Sequence, residues 1–499
     1  MNAARMLSPG TSNNVRLEDA NDVYAGAVDF PLKPRMAEER ISPRLRSLGA
    51  NSLVVAILSP FLVLASSRVQ RVLLGVVVLD IPIQLGTSLF LRPDQAALGA
   101  LKGLSISATT LAVAGLYASW FMRAVAKRTP QPHASVHFNL PLLFYLAMTA
   151  LSVSVAQDAV LSSFEVFLLI EACLIYFYVA NAVQTHEDVR FIVSLLMIGG
   201  LFESLVIIAM RLTVTPSTTW DFPIHIIAER VGKDGLMRIG GTIGVPNVAG
   251  GYLSIILVCA ASLLLVELSR LQRWLAISVI AFGSVALIFT FSRGAWMAFV
   301  LAITLLGFVI SRHRGFSLKV PLAILAILAL LYLPFHNTIS ARLLGKDEGS
   351  GEARIPLNSL AIRMIEDNPV LGVGANNFTV AMDRYVTSEF RHAWLWAVHN
   401  KYLLVLAETG FGGLLAYLAF LLSTLRRGWQ CWRMQDAVLS PLALGFVAGI
   451  AGHMLHQGVD LFRGRPLQQL VWLIAGLLAA MHRLCVADQQ DKVLSPTAW

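Results

Sequence analysis

Residues 190–211 read RFIVSLLMIGGLFESLVIIAMR, an apolar run closed at each end by an arginine and interrupted by one charge, Glu203. Coiled as an α-helix at about 1.5 Å per residue, such a run reaches about 30 Å, the thickness of a hydrocarbon layer. A helix satisfies its own backbone polar groups, which lipid cannot do. Similar runs recur at about 51–67, 71–91, 97–121, 138–156, 160–182, 242–267, 274–292, 294–311, 319–336, 401–424, 438–461 and 467–483. The fold class expected is therefore an all-α polytopic membrane protein.

Composition agrees with lipid as the solvent. The 499 residues are 56% hydrophobic and 14% charged, values foreign to a soluble globular chain. A formal net charge of +9 has a membrane explanation, because lysine and arginine hold cytoplasmic loops in place. Nucleic acid is not needed to account for it. Cys173, Cys259, Cys431 and Cys485 show neither metal-ligand nor paired spacing and read as packing residues.

Orientation follows from the short loops. Arg123, Lys127 and Arg128; Arg270 and Arg273; Arg312, Arg314 and Lys319; and Arg426, Arg427 and Arg433 fall on one side, which the positive-inside tendency makes the cytoplasm. Segments 157–159, 212–241, 337–400 and 462–466 then face outward. Thirteen spans would put the basic N-terminal segment outside, so about twelve full spans with both ends inside are expected. The domain reading is a mobile polar tail over 1–50, a helix bundle over 51–336, an outer loop over 337–400, C-terminal spans over 401–484 and a cytoplasmic tail over 485–499. The first fifty residues mix acidic and basic groups and lack a secretory signal pattern, so insertion is expected to rely on internal spans.

Within the outer loop, Leu357, Leu360, Ala361, Met364 and Ile365 recur at helical spacing. They predict an amphipathic helix on the membrane face, ended by Asn368-Pro369 ahead of Gly372-Val373-Gly374. Arg293, in Ser292-Arg293-Gly294-Ala295-Trp296, stands at a tight outward turn where an arginine is disfavoured. It fits either a binding role or interfacial snorkelling beside a Trp296 anchor. Arg238 precedes the glycine-rich run Gly240-Gly241-Thr242-Ile243-Gly244-Val245-Pro246-Asn247. That run reads either as a broken helix start whose free N–H groups attract an anion or as a plain junction.

Arg354 opens the loop helix as a third outward arginine, with Arg342, Arg363, Arg384 and Arg391 as competing candidates; guanidinium forks suit phosphate oxygens, although an outward loop arginine is more often simply solvated. His399, followed by Asn400, lies where the loop enters the next span. A neutral imidazole there has the right basicity to accept a proton from a sugar hydroxyl. Glu408, further along the span, reads as a buried polar contact. His456 and Asp460, four residues apart, are expected on one helix face as a supporting pair rather than part of a metal site, whose ligand set is incomplete. Glu165, Glu171 and Glu203 inside spans suit the rival reading, a transporter or lipid-carrier flippase, although no internal repeat accompanies them.

In their order and spacing, four blocks resemble the bacterial O-antigen ligase and O-antigen polymerase superfamily of membrane glycosyltransferases. They are Arg238 to Asn247; Ser292-Arg293-Gly294; Arg354 followed by Asn368-Pro369-Val370-Leu371-Gly372-Val373-Gly374; and His399-Asn400 leading to Glu408-x-Gly410-x-x-Gly413. The match covers roughly residues 238–461. Asn358 departs from it, since many relatives carry tryptophan four residues after the loop arginine, which bears on local acceptor packing.

The resemblance implies a GT-C-like membrane enzyme of surface or exopolysaccharide assembly. Its donor would be a glycan on undecaprenyl diphosphate, and its acceptor a second glycan or lipid A core, with protein as a third possibility. Arg238, Arg293 and Arg354 would hold the diphosphate and His399 would activate the acceptor, with Asn247, Asn400, Glu408, His456 and Asp460 in support. No metal or other cofactor is expected. The implied location is the bacterial inner membrane, with the site facing the periplasm.

Overall fold

The computed structural model describes residues 67–126, 137–213, 228–231, 236–313, 333, 335–337, 339–340, 354–387 and 395–494. The expected N-terminal tail, the first span and most of the span at 319–336 lie outside these residues. All described residues belong to one compact unit, Leu58–Trp499.

Its helices, in chain order, are α1 (Ser67–Ile83), α2 (Ala108–Ala126), α3 (Leu140–Ser152), α4 (Ala159–Ala182), α5 (His186–Thr213) and α6 (Pro246–Leu263). They continue with α7 (Arg270–Phe289), α8 (Arg293–His313), α9 (Arg354–Asp367), α10 (Lys401–Arg433), α11 (Leu439–Gln457) and α12 (Arg465–Leu494). Among the described residues eight of these are long and apolar enough to cross a membrane: α4 to α8 and α10 to α12. The chain is a multi-pass membrane protein.

The helix starts are written in polar residues at the apolar boundaries. Thr185 and Asp188 exchange hydrogen bonds across the first turn of α5, each backbone N–H donating to the other's side chain at 3.1–3.2 Å. Asp158 accepts from Val160 and Leu161 to open α4, and Ser269 with Gln272 forms a capping box on α7. Each device satisfies N–H groups that a helix leaves unpaired at its first turn.

The core runs through α6, α11 and α12, whose interior residues are buried almost without a break. α6 packs on α11 and α8, α12 on α4, and α10 on α3 and α11. Small residues permit the close approaches: a Cβ on Gly452 of α11 would lie 2.4 Å from the Ala298 carbonyl oxygen of α8, as expected where helices associate by packing in lipid. All four cysteines are free and buried, with Cys431 Sγ 3.3 Å from Cys485 Sγ.

Several expectations change here. The runs at 71–91 and 97–121 are not spans to their stated edges. α1 ends at Ile83, and an antiparallel hairpin follows, Gly86–Leu89 (β1) against Leu104–Ser107 (β2), enclosing a short helix at Pro93–Ala96. Hydropathy alone cannot tell this excursion from helix, because Leu89, Phe90 and Leu91 are apolar yet exposed. A second hairpin pairs Ala228–Val231 (β3) with Leu236–Ile239 (β4), the strand that carries Arg238. α12 continues past 484 to Leu494, so the expected tail begins as helix.

The loop helix forms as α9, and its buried residues are Leu357, Leu360, Ala361, Met364 and Ile365. That face packs on protein rather than on a membrane surface: its cluster includes Phe378, Val398, Leu404 and Ala407. After α9, the turn at Pro369–Gly374 inserts into a break in α10. Gly410 there adopts φ 69° and ψ −174°, which frees carbonyls of the preceding turn. Val373 N–H donates to the Ala407 carbonyl at 2.8 Å and Gly374 N–H to that of Glu408 at 3.1 Å, while Phe411 N–H donates to Pro369. The glycines are required by contact: a Cβ on Gly372 would meet Glu408 backbone carbon at 2.4 Å.

Candidate active site

One cavity of about 910 Å³ opens at the end of the bundle where α6, α8, α10 and α12 begin and α11 ends. Arg238, Arg293, Arg354, His399, Asn247, His456 and Asp460 all line it. Asn400 and Glu408 do not, and each has another role described below.

Arg238 is oriented from two sides. Its Nε donates to the Thr290 carbonyl at 3.1 Å, at the C-terminal end of α7, where the helix dipole favours a cation. Another guanidinium nitrogen donates to the Asn247 side-chain oxygen. Asn247 in turn donates its Nδ2 to the Asp460 carboxylate, so one amide joins arginine to aspartate.

The glycine-rich run between Arg238 and Asn247 does meet a carboxyl group, but one of the protein's own. Glu203, fully buried in α5, accepts from Thr242 N–H at 3.2 Å, from the Thr242 hydroxyl, and from Ile243 N–H at 3.4 Å. Gly241, at φ +59°, leaves room for it, since a Cβ would lie 2.1 Å from the Glu203 carboxylate. The N–H groups expected to attract a ligand at this turn are thus occupied, and Glu203 fixes the segment between Arg238 and Asn247.

Arg293 begins α8, after a turn in which Phe291 takes φ +49°. A left-handed conformation costs a bulky residue about 1–2 kcal/mol, and it persists here because the surrounding turn is tied at several points. Trp296 N–H donates to the Ser292 carbonyl at 3.0 Å, and its indole Nε1 donates back to Leu287 at 3.0 Å. Trp296 is therefore a clasp on the turn. Gly294 admits His456, whose ring atoms would lie 2.5–2.7 Å from a Cβ at that position.

His399 is half-buried, immediately before α10. Asn400 is the N-cap of that helix, accepting from Tyr402 and Leu403 N–H at 3.0 and 3.1 Å; it sets where the chain bearing His399 leaves the helix axis. Burial pulls the His399 imidazole below its ordinary range, and Arg354 adds to that, while Asp460 and a backbone hydrogen bond at Ala397 oppose it. The net shift is downward, toward a neutral imidazole near pH 7.

His456 and Asp460 do not form the expected pair on one helix face. α11 stops at Gln457, and Asp460 lies in the following loop, where it accepts from Leu461 N–H and from Asn247. His456 Nδ1 has no hydrogen-bond partner among the described residues, and its ring packs edge-on against Phe462 at 4.6 Å. The helix ends one turn earlier than the apolar pattern implies, with Gly458 as its C-cap.

Glu408 pairs with Arg463 at 2.5 Å, both side chains nearly inaccessible, and also accepts from Phe378 N–H at 3.1 Å. Arg463 lines the cavity and reaches the Gly99 carbonyl at 3.3 Å. Arg465 pairs with Asp80 at 3.5 Å. Sequence reasoning passed over both arginines. The signal was present, since the loop charges assign Arg463 and Arg465, like Arg293, to a segment expected to face outward, where the positive-inside tendency disfavours arginine. Lys102, also on the cavity wall, gave no such signal, because it falls near the start of the run at 97–121 that read as a span.

Residues 276–418 match the family model described as O-antigen ligase. Over that segment the chain is similar to the O-antigen ligase family. This supports its place in the O-antigen ligase and polymerase superfamily and suggests, in outline, a membrane glycan-processing enzyme. The O-antigen ligase segment holds Arg293, Arg354, His399 and Glu408, while Arg238, Asn247, His456 and Asp460 join the same cavity from outside it. No curated protein matches the chain. A chain from a solved structure described as "Structural coordination of polymerization and crosslinking by a peptidoglycan synthase complex" is 15% identical, covering 70% of this chain and 99% of that one, at a TM-score of 0.38. That likeness is too slight to bear on fold or activity.

Two further groupings stand apart. His186, Asp436 and Asp488 come within 4.8 Å of one another, at the opposite end of the bundle. Of the carboxylates that suited a carrier, Glu171 accepts from Thr110 and from Gln469 and Glu203 holds the 240–244 turn, while Glu165, whose buried Oε2 has no hydrogen-bond partner among the described residues, lies in the electrostatic reach of Lys401 and Arg463.

Proposed function

We propose that this protein is a glycosyltransferase that moves or polymerises an undecaprenyl-diphosphate-linked glycan at the periplasmic face of the bacterial inner membrane. The observation that carries the reading is the convergence of Arg238, Arg293, Arg354 and His399 on one cavity within a chain similar over residues 276–418 to the O-antigen ligase family. Apart from Asp460, the charged side chains around that cavity are cationic, which suits a diphosphate. About twelve spans in a GT-C-like arrangement, with both ends in the cytoplasm, complete the topology.

The reaction is an inverting displacement. An acceptor hydroxyl oxygen forms a bond to the anomeric carbon as the bond from that carbon to the diphosphate oxygen breaks. The hydroxyl proton passes to His399, and the electron pair leaves with the diphosphate, whose growing charge the arginines stabilise. Asp460 stabilises the imidazolium that forms, and Asn247 keeps Asp460 and Arg238 in register.

The test is transfer by purified protein supplied with carrier-linked glycan and acceptor, without nucleotide or ion gradient. Product is expected from the wild type and none from folded His399→Ala. Full activity in both His399→Ala and Arg293→Ala would overturn the mechanism. Deletion separates the products: loss of a length ladder marks a polymerase, and accumulation of full-length carrier-bound polymer marks a ligase.

A further inference from the structure

The cavity has a second wall that the diphosphate chemistry leaves unused. It is the turn at residues 95–102 inside the β1–β2 hairpin, which contributes Ala96, Gly99, Ala100, Leu101 and Lys102, together with Trp396. This turn is braced from separate parts of the chain. Leu101 N–H donates to the Asn376 side chain at 2.9 Å, Ala397 N–H donates to the Leu98 carbonyl at 2.8 Å, and Arg463 donates to the Gly99 carbonyl. Gly99, at φ +97°, lets the Trp396 indole lie on the turn, for a Cβ there would be 2.5 Å from Trp396 Nε1.

The loop from Gly458 to Gly464 connects this wall to the arginine wall. At Asp460 it takes the hydrogen bond from Asn247, beside Arg238; at Arg463 it holds Gly99. His399 lines the same cavity, three residues after Trp396 and in the electrostatic reach of Asp460. The second wall also carries a charge. Lys102 is exposed and makes no ion pair or side-chain hydrogen bond among the described residues, and its backbone is held by Arg92 N–H at 2.8 Å.

We propose that Trp396 and Lys102 form the acceptor subsite, taking a glycan that bears an anionic group close to the attacking hydroxyl. This rests on the glycosyl-transfer reading. The indole offers an apolar platform for the C–H face of a sugar ring, and the lysine supplies a charge for a carboxylate or phosphate on that sugar or the next.

The experiment uses the full chain in lipid nanodiscs and three tetrasaccharides of equal length: one containing uronates, the same one carboxyl-reduced, and a phosphorylated neutral one. Undecaprenyl diphosphate serves as the donor-side probe. Wild type is expected to bind one or both anionic sugars about five-fold more tightly than the reduced one. Which anionic sugar gains tells carboxylate from phosphate. Lys102→Gln is expected to lose that preference and Lys102→Arg to keep it, while Trp396→Ala weakens all three. Equal binding of the three sugars by wild type, or a preference that survives in Lys102→Gln, would overturn the subsite. So would a loss of undecaprenyl diphosphate binding in Lys102→Gln, which would move the lysine to the donor. Failure of the donor reading shows differently, as undecaprenyl diphosphate binding that survives Arg293→Gln.

Discussion

Asn247 donates its side-chain amide to the Asp460 carboxylate, and through its oxygen it also accepts from Arg238. A residue at the start of α6 thus couples a cation on β4 to an anion in the loop after α11. Hydrogen bonds to charged groups contribute about 1.5–3 kcal/mol, and both of these are charge-assisted. Asn247→Leu, which keeps the bulk and removes both bonds, is expected to lower kcat/KM for transfer by at least about ten-fold, consistent with a loss of about 1.4 kcal/mol or more. Asn247→Asp should be as harmful, because it sets a second carboxylate against Asp460. Unchanged kinetics in both variants would show that this link does not organise the site.

The pH profile follows from His399. Its pKa is lowered by burial and by Arg354 and raised by Asp460, with a net shift downward. A general base works in its neutral form, so kcat/KM should rise with pH through an acid limb lying below the ordinary histidine value of about 6.5 and then level off. Arg354→Gln removes a cation that disfavours imidazolium, so the limb moves to higher pH. Asp460→Asn removes an anion that favours it, so the limb moves to lower pH. Opposite displacements are the signature to look for, whatever each variant does to the maximal rate. Parallel displacements, or none, would assign the limb to another group.

Much of this arrangement was legible beforehand, and the parts that were not share a cause. The spans around α4, α5 and α10 and the five buried positions of α9 rest on local periodicity and length, which a single chain displays. Arg238, Arg293, Arg354 and His399 stood out through motif order and position at turns that the loop charges assign to the outer side. The hairpin holding Lys102 was hidden because Leu89, Phe90 and Leu91 look like core but stay exposed. The partners of Glu203, Glu408 and Asp460 were hidden because each lies more than thirty residues away along the chain in at least one case, as in Arg463 for Glu408 and Thr242 for Glu203. Pairing across a bundle leaves no periodic trace.

The threaded turn gives a stability prediction with an internal control. A Cβ at Gly410, φ +69°, would lie 2.1 Å from the Val370 carbonyl oxygen, and one at Gly372, φ +67°, would lie 2.4 Å from the Glu408 backbone. Gly464 also has positive φ, at +121°, but nothing within 4 Å. Gly464→Ala therefore meets only the conformational cost, whereas Gly410→Ala and Gly372→Ala add backbone clashes that cannot be relieved by a side-chain movement. Thermal unfolding in detergent should place both clashing variants clearly below Gly464→Ala. A ranking with Gly464→Ala lowest would contradict the insertion of the turn into the α10 break.

Glu408 and Arg463 offer the strictest test of the braced loop, because both are nearly inaccessible and 2.5 Å apart. Removing one member of a buried ion pair strands the other charge, at a typical cost of about 3–5 kcal/mol, whereas replacing both by apolar residues of similar size is often close to neutral. Glu408→Ala should accordingly unfold or fail to accumulate, and Glu408→Leu with Arg463→Met should recover much of the lost thermal stability. Transfer should recover less than stability does, since the double variant gives up the Arg463 bond to Gly99 and with it the bracing of the second cavity wall. Recovery of both together would mean that the wall holds its shape without Arg463, and that the pair serves only to neutralise a buried carboxylate.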